Sequence, residues 1–359
     1  MSDSNVGEAF EFPVSATQAT FWYMYQMDPS STAYSIPLGF RIQGPLNTEY
    51  FRQAIEAVVQ RHEILRTRYR EKDAGKLVQY IESGLELPFE AIVLPGSNKA
   101  EKEQNLDQLL EQEFHRPVLI DKEPVLRCRL YSIAPDDNVF LIVAHHIAFD
   151  HMAFGLLLEE MAQNYSKLVA CDEVLKSEPD LQYADYVIWQ NEQVNGPEAE
   201  NQLQAWTSKL QPFSGVLDLP TALPRPKFQT FAGRDHYFSF SPETSRLIRE
   251  FSKQRGLSLF FTMLACLKAL YQRYSGQTDI IIGTPFSDRN QDESLEQVLG
   301  CFINTLPLAT MFTDGMTFSD LLSQVKNVMM DAYENQVVPL EEIVHSLGLQ
   351  RDPSRTPLF

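Results

Sequence analysis

The stretch Val139-Phe140-Leu141-Ile142-Val143-Ala144-His145-His146-Ile147-Ala148-Phe149-Asp150 opens on six uniformly apolar residues and closes on an aspartate. Six residues is the length of a strand, and apolar character without alternation marks a strand buried on both faces. Asp150 is a good helix N-cap. Beyond it Met152, Leu156, Met161 and Tyr165 recur at helical spacing, which predicts a helix with these four as its packing stripe. His145 and His146 therefore stand where a central strand runs into a loop. In open sheets that position faces a crevice where ligands bind.

Adjacent histidines followed by an aspartate have a chemistry of their own. An imidazole titrates near ~6.5, so at neutral pH it accepts a proton and returns it. Acyl transfer to an amine or alcohol needs that exchange, because the nucleophile loses a proton and a leaving thiolate regains one. A buried histidine is also a common satisfied core residue, so the pattern alone leaves both readings open. His145, His146, Asp150 and His151 are all possible metal ligands. Neighbouring strand residues point to opposite faces, which argues against His145 and His146 sharing one ion.

Outward from this centre, apolar runs alternate with helical patterns, the signature of an α/β or mixed α+β architecture. A helix is expected over 48–63, with Asn47 as its cap and Phe51, Ala54, Ile55, Val58 and Val59 on one face. Strands are expected at 65–69, 77–81 and 126–133, and a polar helix near 105–114. The polar stretch 172–180 divides the chain into lobes at 1–178 and 179–359. In the second half a Trp-bearing helical segment covers 183–210, a Pro-rich strap follows at 219–226, and Tyr237–Phe240 reads as a strand. Ser241-Pro242 starts the next helix. An apolar helix at 259–274, strands at 280–282 and 302–308, and a last helix opened by Thr317 with Asp320 complete the pattern.

The chain has 359 residues, 48 acidic against 30 basic, and a formal charge of -18, so phosphate backbones and anionic lipid surfaces are poor partners. Cys128, Cys171, Cys266 and Cys301 form no Cys-x-x-Cys pair, and reduced thiols in a cytoplasmic protein are the simplest account. The start carries no apolar signal segment, and no apolar run approaches the ~20 residues that span a bilayer.

The histidine stretch resembles the His-His-x-x-x-Asp-Gly signature of condensation domains in nonribosomal peptide synthetases and hybrid polyketide-peptide assembly lines. Five further motifs follow that family's order: Ser15-Ala16-Thr17-Gln18 with Phe21-Trp22; Arg61-His62-Glu63-Ile64-Leu65-Arg66-Thr67; Tyr183-Ala184-Asp185-Tyr186 with Trp189; Ile282-Gly283-Thr284-Pro285-Phe286-Ser287-Asp288-Arg289; and Gly300-Cys301-Phe302-Ile303-Asn304-Thr305-Leu306-Pro307-Leu308. Ser354-Arg355-Thr356-Pro357-Leu358-Phe359 closes the set. The resemblance implies two chloramphenicol-acetyltransferase-like lobes forming a V with a central tunnel, where two phosphopantetheine arms meet. It makes His146 the catalytic residue. His145 and Asp150 become structural members of the site, with Asp150 paired to Arg289 across the lobes. His151, Ser287 and Asn304 are implied tunnel or substrate residues, while Arg61, Glu63, Arg66, Trp22 and Trp189 are expected to anchor and pack.

The activity so implied joins a carrier-bound acyl or peptidyl thioester to the amine or hydroxyl of a carrier-bound acceptor. Acyl or peptidyl carrier domains and neighbouring synthetase domains are the expected partners, and no cofactor is expected on this chain. Two alternatives are a stand-alone acyltransferase using coenzyme A or one carrier-bound thioester donor, and a catalytically silent recruiting or scaffold domain. Departures from the pattern give the last its weight: His151 stands where the family has glycine, and Ala153 where serine is frequent. Asp288 replaces a common glycine, and Thr20 an arginine. The family normally continues past the position of Phe359, so the second lobe is expected to be truncated.

Overall fold

The computed structural model describes residues 9–72, 75–83, 85, 87–175, 177–349 and 352–359. Its contacts divide the chain into two compact units, residues 1–192 with 288–303, and residues 193–287 with 304–359. The expected boundary in the polar stretch 172–180 is displaced, because the helix after it packs Tyr183, Tyr186 and Val187 into the first core. Segment 288–303 also returns to that core, through Leu295, Val298, Leu299 and Phe302.

The first unit carries β1 (Ala9–Pro13), α1 (Ala16–Met27), β2 (Ser35–Gln43), α2 (Thr48–Arg61), β3 (Thr67–Glu71), β4 (Leu77–Glu82), β5 (Phe89–Val93), α3 (Lys99–Phe114), β6 (Leu126–Ala134), β7 (Asp137–His145), α4 (His151–Val169) and most of α5 (Tyr183–Val194). One sheet runs β1-β4-β3 and a second runs β2-β7-β6-β5. Strand β7 is central and buried along its whole length, as its unbroken apolar run predicts. It is antiparallel to β2 and β6, so the crevice logic of parallel sheets does not apply to its end. The expected helix at 48–63 stops at Arg61, where His62 leaves helical geometry and residues 63–66 turn more tightly. The Arg66 guanidinium donates to the carbonyls of Val59 and Gln60 at that helix end and of Glu82 in β4.

The α4 stripe is rotated from its expected position. Ala153, Phe154, Leu157, Met161 and Asn164 are buried, whereas Met152 is 55% exposed. Successive helical residues turn by about 100°, so apolar residues one place apart compete to define the buried face, and here the later set wins.

The second unit contains α6 (Pro197–Leu210), α7 (Pro242–Gln254), α8 (Leu259–Ser275), β8 (Asp279–Ser287), β9 (Ile303–Met311), α9 (Phe318–Glu334) and α10 (Leu340–Ser346); only Ile303 of β9 is grouped with the first unit. Strands β8 and β9 pair. The expected single segment 183–210 is two helices, because Gly196 caps a new start with Pro197 in its first turn. Ser241 and Thr317 cap α7 and α9 as their sequences predict, the latter in a reciprocal capping box with Asp320. Lys268 is fully buried, and its ammonium donates to Leu308 O and Thr310 Oγ1, tying α8 to β9. Tyr237–Phe240 forms no strand: among the described residues no strand pairs with it, and Tyr237 is 88% exposed. Alternation gives a strand only where a ladder partner satisfies its backbone.

Candidate active site

The backbone first fixes where the two imidazoles go. His145 ends β7 opposite Ser35, and its amide donates to Val125 O at 2.8 Å. The His146 amide donates to Tyr34 O at 2.8 Å, outside the ladder, and residues 146–148 turn. His145 is buried, and its Nδ1 accepts the Ile147 amide at 3.1 Å, so the neutral ring carries its proton on Nε2. Burial, reinforced by the nearby His146, pushes its pKa down to about 3. His145 is thus a neutral structural ring at any physiological pH.

His146 is only partly buried. Phe21, from α1, stacks on its face with centroids 5.2 Å apart and planes 23° apart. Cys301 brings its Sγ to 3.8 Å from Nδ1. Among the described residues Nε2 has no hydrogen-bond partner. The ring is therefore held on one face and at one nitrogen, with the other nitrogen available.

Asp150 organises the loop from below. Its Oδ1 accepts the Ala153 amide at 2.7 Å, which caps α4, and its Oδ2 accepts the Phe302 amide at 3.2 Å. Arg289 approaches both oxygens, Nε at 3.2 Å from Oδ2 and Nη2 at 3.4 Å from Oδ1. Its other donors reach Leu295 O, Val298 O and Gly300 O, and both partners are 4% exposed. Its carbon also lies 4.0 Å from the Phe302 ring centroid. Both members of this pair lie in the first compact unit, so the expected tie between lobes becomes a tie of segment 288–303 to the unit that carries the histidines.

Cys301 and Phe21 were not singled out by the sequence as site residues, and neither was Tyr183. Tyr183 donates to Cys301 O at 2.6 Å, and the same hydroxyl lies 3.3 Å from Ser15 Oγ. Ser15 in turn accepts the Gln18 amide and caps α1, the helix that presents Phe21. The α1 cap, α5 and the 300–302 backbone thus converge on one ring. Burial raises the Tyr183 phenol well above its usual range and pushes the Cys301 thiol up to about 12, so both remain protonated.

His151 is exposed in the first turn of α4, and the Asp150 cap is intact beside it. Ser287 and Asn304 fall in the second unit. Asn304 donates from Nδ2 to Gln336 O and Val338 O, each at 2.9 Å, and so holds the turn after α9. Trp22 packs in the first core with its indole N–H on Glu71 Oε1. Asp288 is a buried carboxyl; burial raises its pKa, against hydrogen bonds from Tyr186 and Gln190. Among the described residues no cluster of three or more His, Cys, Asp or Glu is placed to hold a metal ion.

Comparison with known proteins matches residues 8–359 to the family described as Condensation domain. The chain is 34% identical over 350 residues to tyrocidine synthase 3 of Brevibacillus parabrevis, covering 97% of this chain and 5% of that protein. It is 33% identical over 349 residues to surfactin synthase subunit 1 of Bacillus subtilis (strain 168), covering 97% of this chain and 9% of that one. The chain thus spans less than a tenth of the length of these relatives. The fold matches the X-domain in its complex with OxyB from teicoplanin biosynthesis with a TM-score of 0.89 at 22% identity, over 100% of this chain and 79% of that chain. It matches the first condensation domain of the calcium-dependent antibiotic synthetase with a TM-score of 0.74 at 19% identity, over 95% and 78% respectively.

Proposed function

Because the chain belongs to the condensation-domain family, we propose that it joins a carrier-bound acyl or peptidyl thioester to the amine or hydroxyl of a carrier-bound acceptor. His146 is the catalytic residue and meets the reacting atoms through Nε2. The observation that carries this reading is the state of that ring: stacked by Phe21, tethered at Nδ1 and partly exposed, with Nε2 unoccupied. His145, Asp150 and Arg289 hold the loop, and none of them offers a free polar atom of comparable exposure. Such preorganisation is what a transient acyl-transfer intermediate requires of its catalytic group.

The substrates arrive on phosphopantetheine arms of acyl or peptidyl carrier domains, with neighbouring synthetase domains as the wider partners, and the setting is the cytoplasm. No helix among the described residues is long and apolar enough to cross a membrane. The experiment presents the protein with loaded donor and acceptor carriers and follows the condensed product by mass spectrometry. Product from carrier-bound donor is the expected result. Turnover of a coenzyme A thioester with none from the carrier form favours the stand-alone acyltransferase, and no product from either favours a silent scaffold.

A further inference from the structure

We propose that Cys301 is a positioning residue that fixes His146 as its Nε2–H tautomer, so that the ring meets the reactants as a hydrogen-bond donor. The inference rests on the reading of His146 as the group that faces the thioester. One contact is its starting point. A neutral imidazole has one donor and one acceptor nitrogen, and the partner of Nδ1 decides which is which. That partner is the Cys301 thiol, 155 residues away in sequence and 3.8 Å away in space.

A thiol can give a hydrogen or accept one, and because its sulfur is a weak acceptor beside an imidazole nitrogen, giving is favoured here. Among the described residues Nδ1 of His146 is the acceptor left for the S–H hydrogen. The thiol keeps that hydrogen, since its burial at 1% exposure disfavours the thiolate. With Nδ1 accepting, the ring proton resides on Nε2.

The sulfur is itself held firmly. Tyr183 donates to Cys301 O at 2.6 Å. The flanking residues are engaged on either side, Gly300 O by Arg289 and the Phe302 amide by Asp150. Phe21 stacks on one face of the ring, so a flip that would exchange the two nitrogens has to move past an aromatic face and give up the thiol contact.

An Nε2–H donor suits the thioester carbonyl oxygen, where negative charge grows as the tetrahedral intermediate forms. The acceptor nitrogen bonds to the carbonyl carbon, and the π pair moves to the oxygen that Nε2–H holds. Collapse restores the carbonyl, breaks the carbon–sulfur bond and expels the pantetheine thiolate, which takes up the proton the nitrogen has lost. Cys301 touches no reactant in this scheme and acts through His146 alone.

The test reads the tautomer directly. The protein is labelled with ¹⁵N-histidine, the His146 signals are identified by their loss in His146→Ala, and long-range ¹H–¹⁵N correlations assign the protonated nitrogen at pH 8. The expected result is Nε2–H in the wild type and in Cys301→Ser, whose hydroxyl still donates. In Cys301→Ala the tautomer ratio shifts toward Nδ1–H by about fivefold, the weight of one net hydrogen bond, and kcat falls in proportion to the Nε2–H fraction read from the same spectra, with KM unchanged. A wild-type spectrum with Nδ1–H overturns the inference, as does a Cys301→Ala spectrum identical to wild type. If Cys301→Ala does not fold, the wild-type and Cys301→Ser spectra still decide. A wild type that makes no condensed product but shows Nε2–H sinks the proposed activity and leaves the tautomer assignment standing.

Discussion

Replacing Asp150 with asparagine changes one atom, yet it disrupts more of the site than any surface substitution can. Each carboxylate oxygen accepts two donors: Oδ1 faces the Ala153 amide and Arg289 Nη2, and Oδ2 faces the Phe302 amide and Arg289 Nε. An asparagine amide, in either flip, therefore points its NH₂ at two N–H groups. Arg289 at the same time becomes a buried cation without the Asp150 counter-charge, while its contacts to the carbonyls of Leu295, Val298 and Gly300 remain. Breaking a buried pair from one side costs about 3–5 kcal/mol. For a unit of this size that lowers the melting midpoint by roughly 6–20 °C. Thermal unfolding followed by near-UV circular dichroism measures it. Arg289→Met removes the stranded cation, so the double variant should recover about 2 kcal/mol relative to the sum of the single losses. A loss below about 1 kcal/mol for Asp150→Asn, or strict additivity in the double, refutes the pair as the fastening of segment 288–303.

Three further outcomes concern the buried ionisable groups and one close approach. His145 has its pKa pushed down to about 3, so between pH 6.5 and 3 the unfolded chain binds the extra proton and stability falls as pH falls; His145→Gln should remove up to about 1.4 kcal/mol per pH unit of that slope, measured by urea midpoints, and an unchanged slope speaks against a buried neutral ring. Burial pushes Lys268 down to about 7, so stability should rise from pH 7 to 10 as the unfolded chain alone holds the proton, and Lys268→Met should flatten that rise in the same assay. A β-carbon at Gly300 would lie 2.0 Å from Tyr183 Cδ2, so Gly300→Ala should cost about 1–3 kcal/mol and loosen the Tyr183–Cys301 bond; a midpoint equal to wild type would show that the ring has room to move.

What the sequence discloses here is what short-range chemistry encodes. The apolar run of β7, the Asp150 cap, and the Ser241 and Thr317 starts each depend on neighbours within four residues, and each lies where its pattern puts it. The histidine pair at a strand end was legible for the same reason. The face of α4 was not, since Met152 and Ala153 are both apolar enough to face a core and only packing chooses between them. Tyr237–Phe240 shows the converse failure, a strand-like alternation without a pairing partner among the described residues. The surroundings of His146 come from α1, α5 and residues 300–302, joined across 118 to 168 positions, and no local pattern announces such convergence. A signal existed in retrospect: glycine immediately before Cys301 marks a close approach, here of the Tyr183 ring.

The central claim is that one partly exposed imidazole, and no other group of the first unit, meets the reacting thioester. Its most direct test is the rate of condensed product from loaded carriers, wild type against His146→Ala, with melting curves recorded on both. The account predicts a loss of at least about 100-fold with the melting midpoint preserved, the weight of a preorganised donor to a developing oxyanion. Equal product from the two proteins would contradict it.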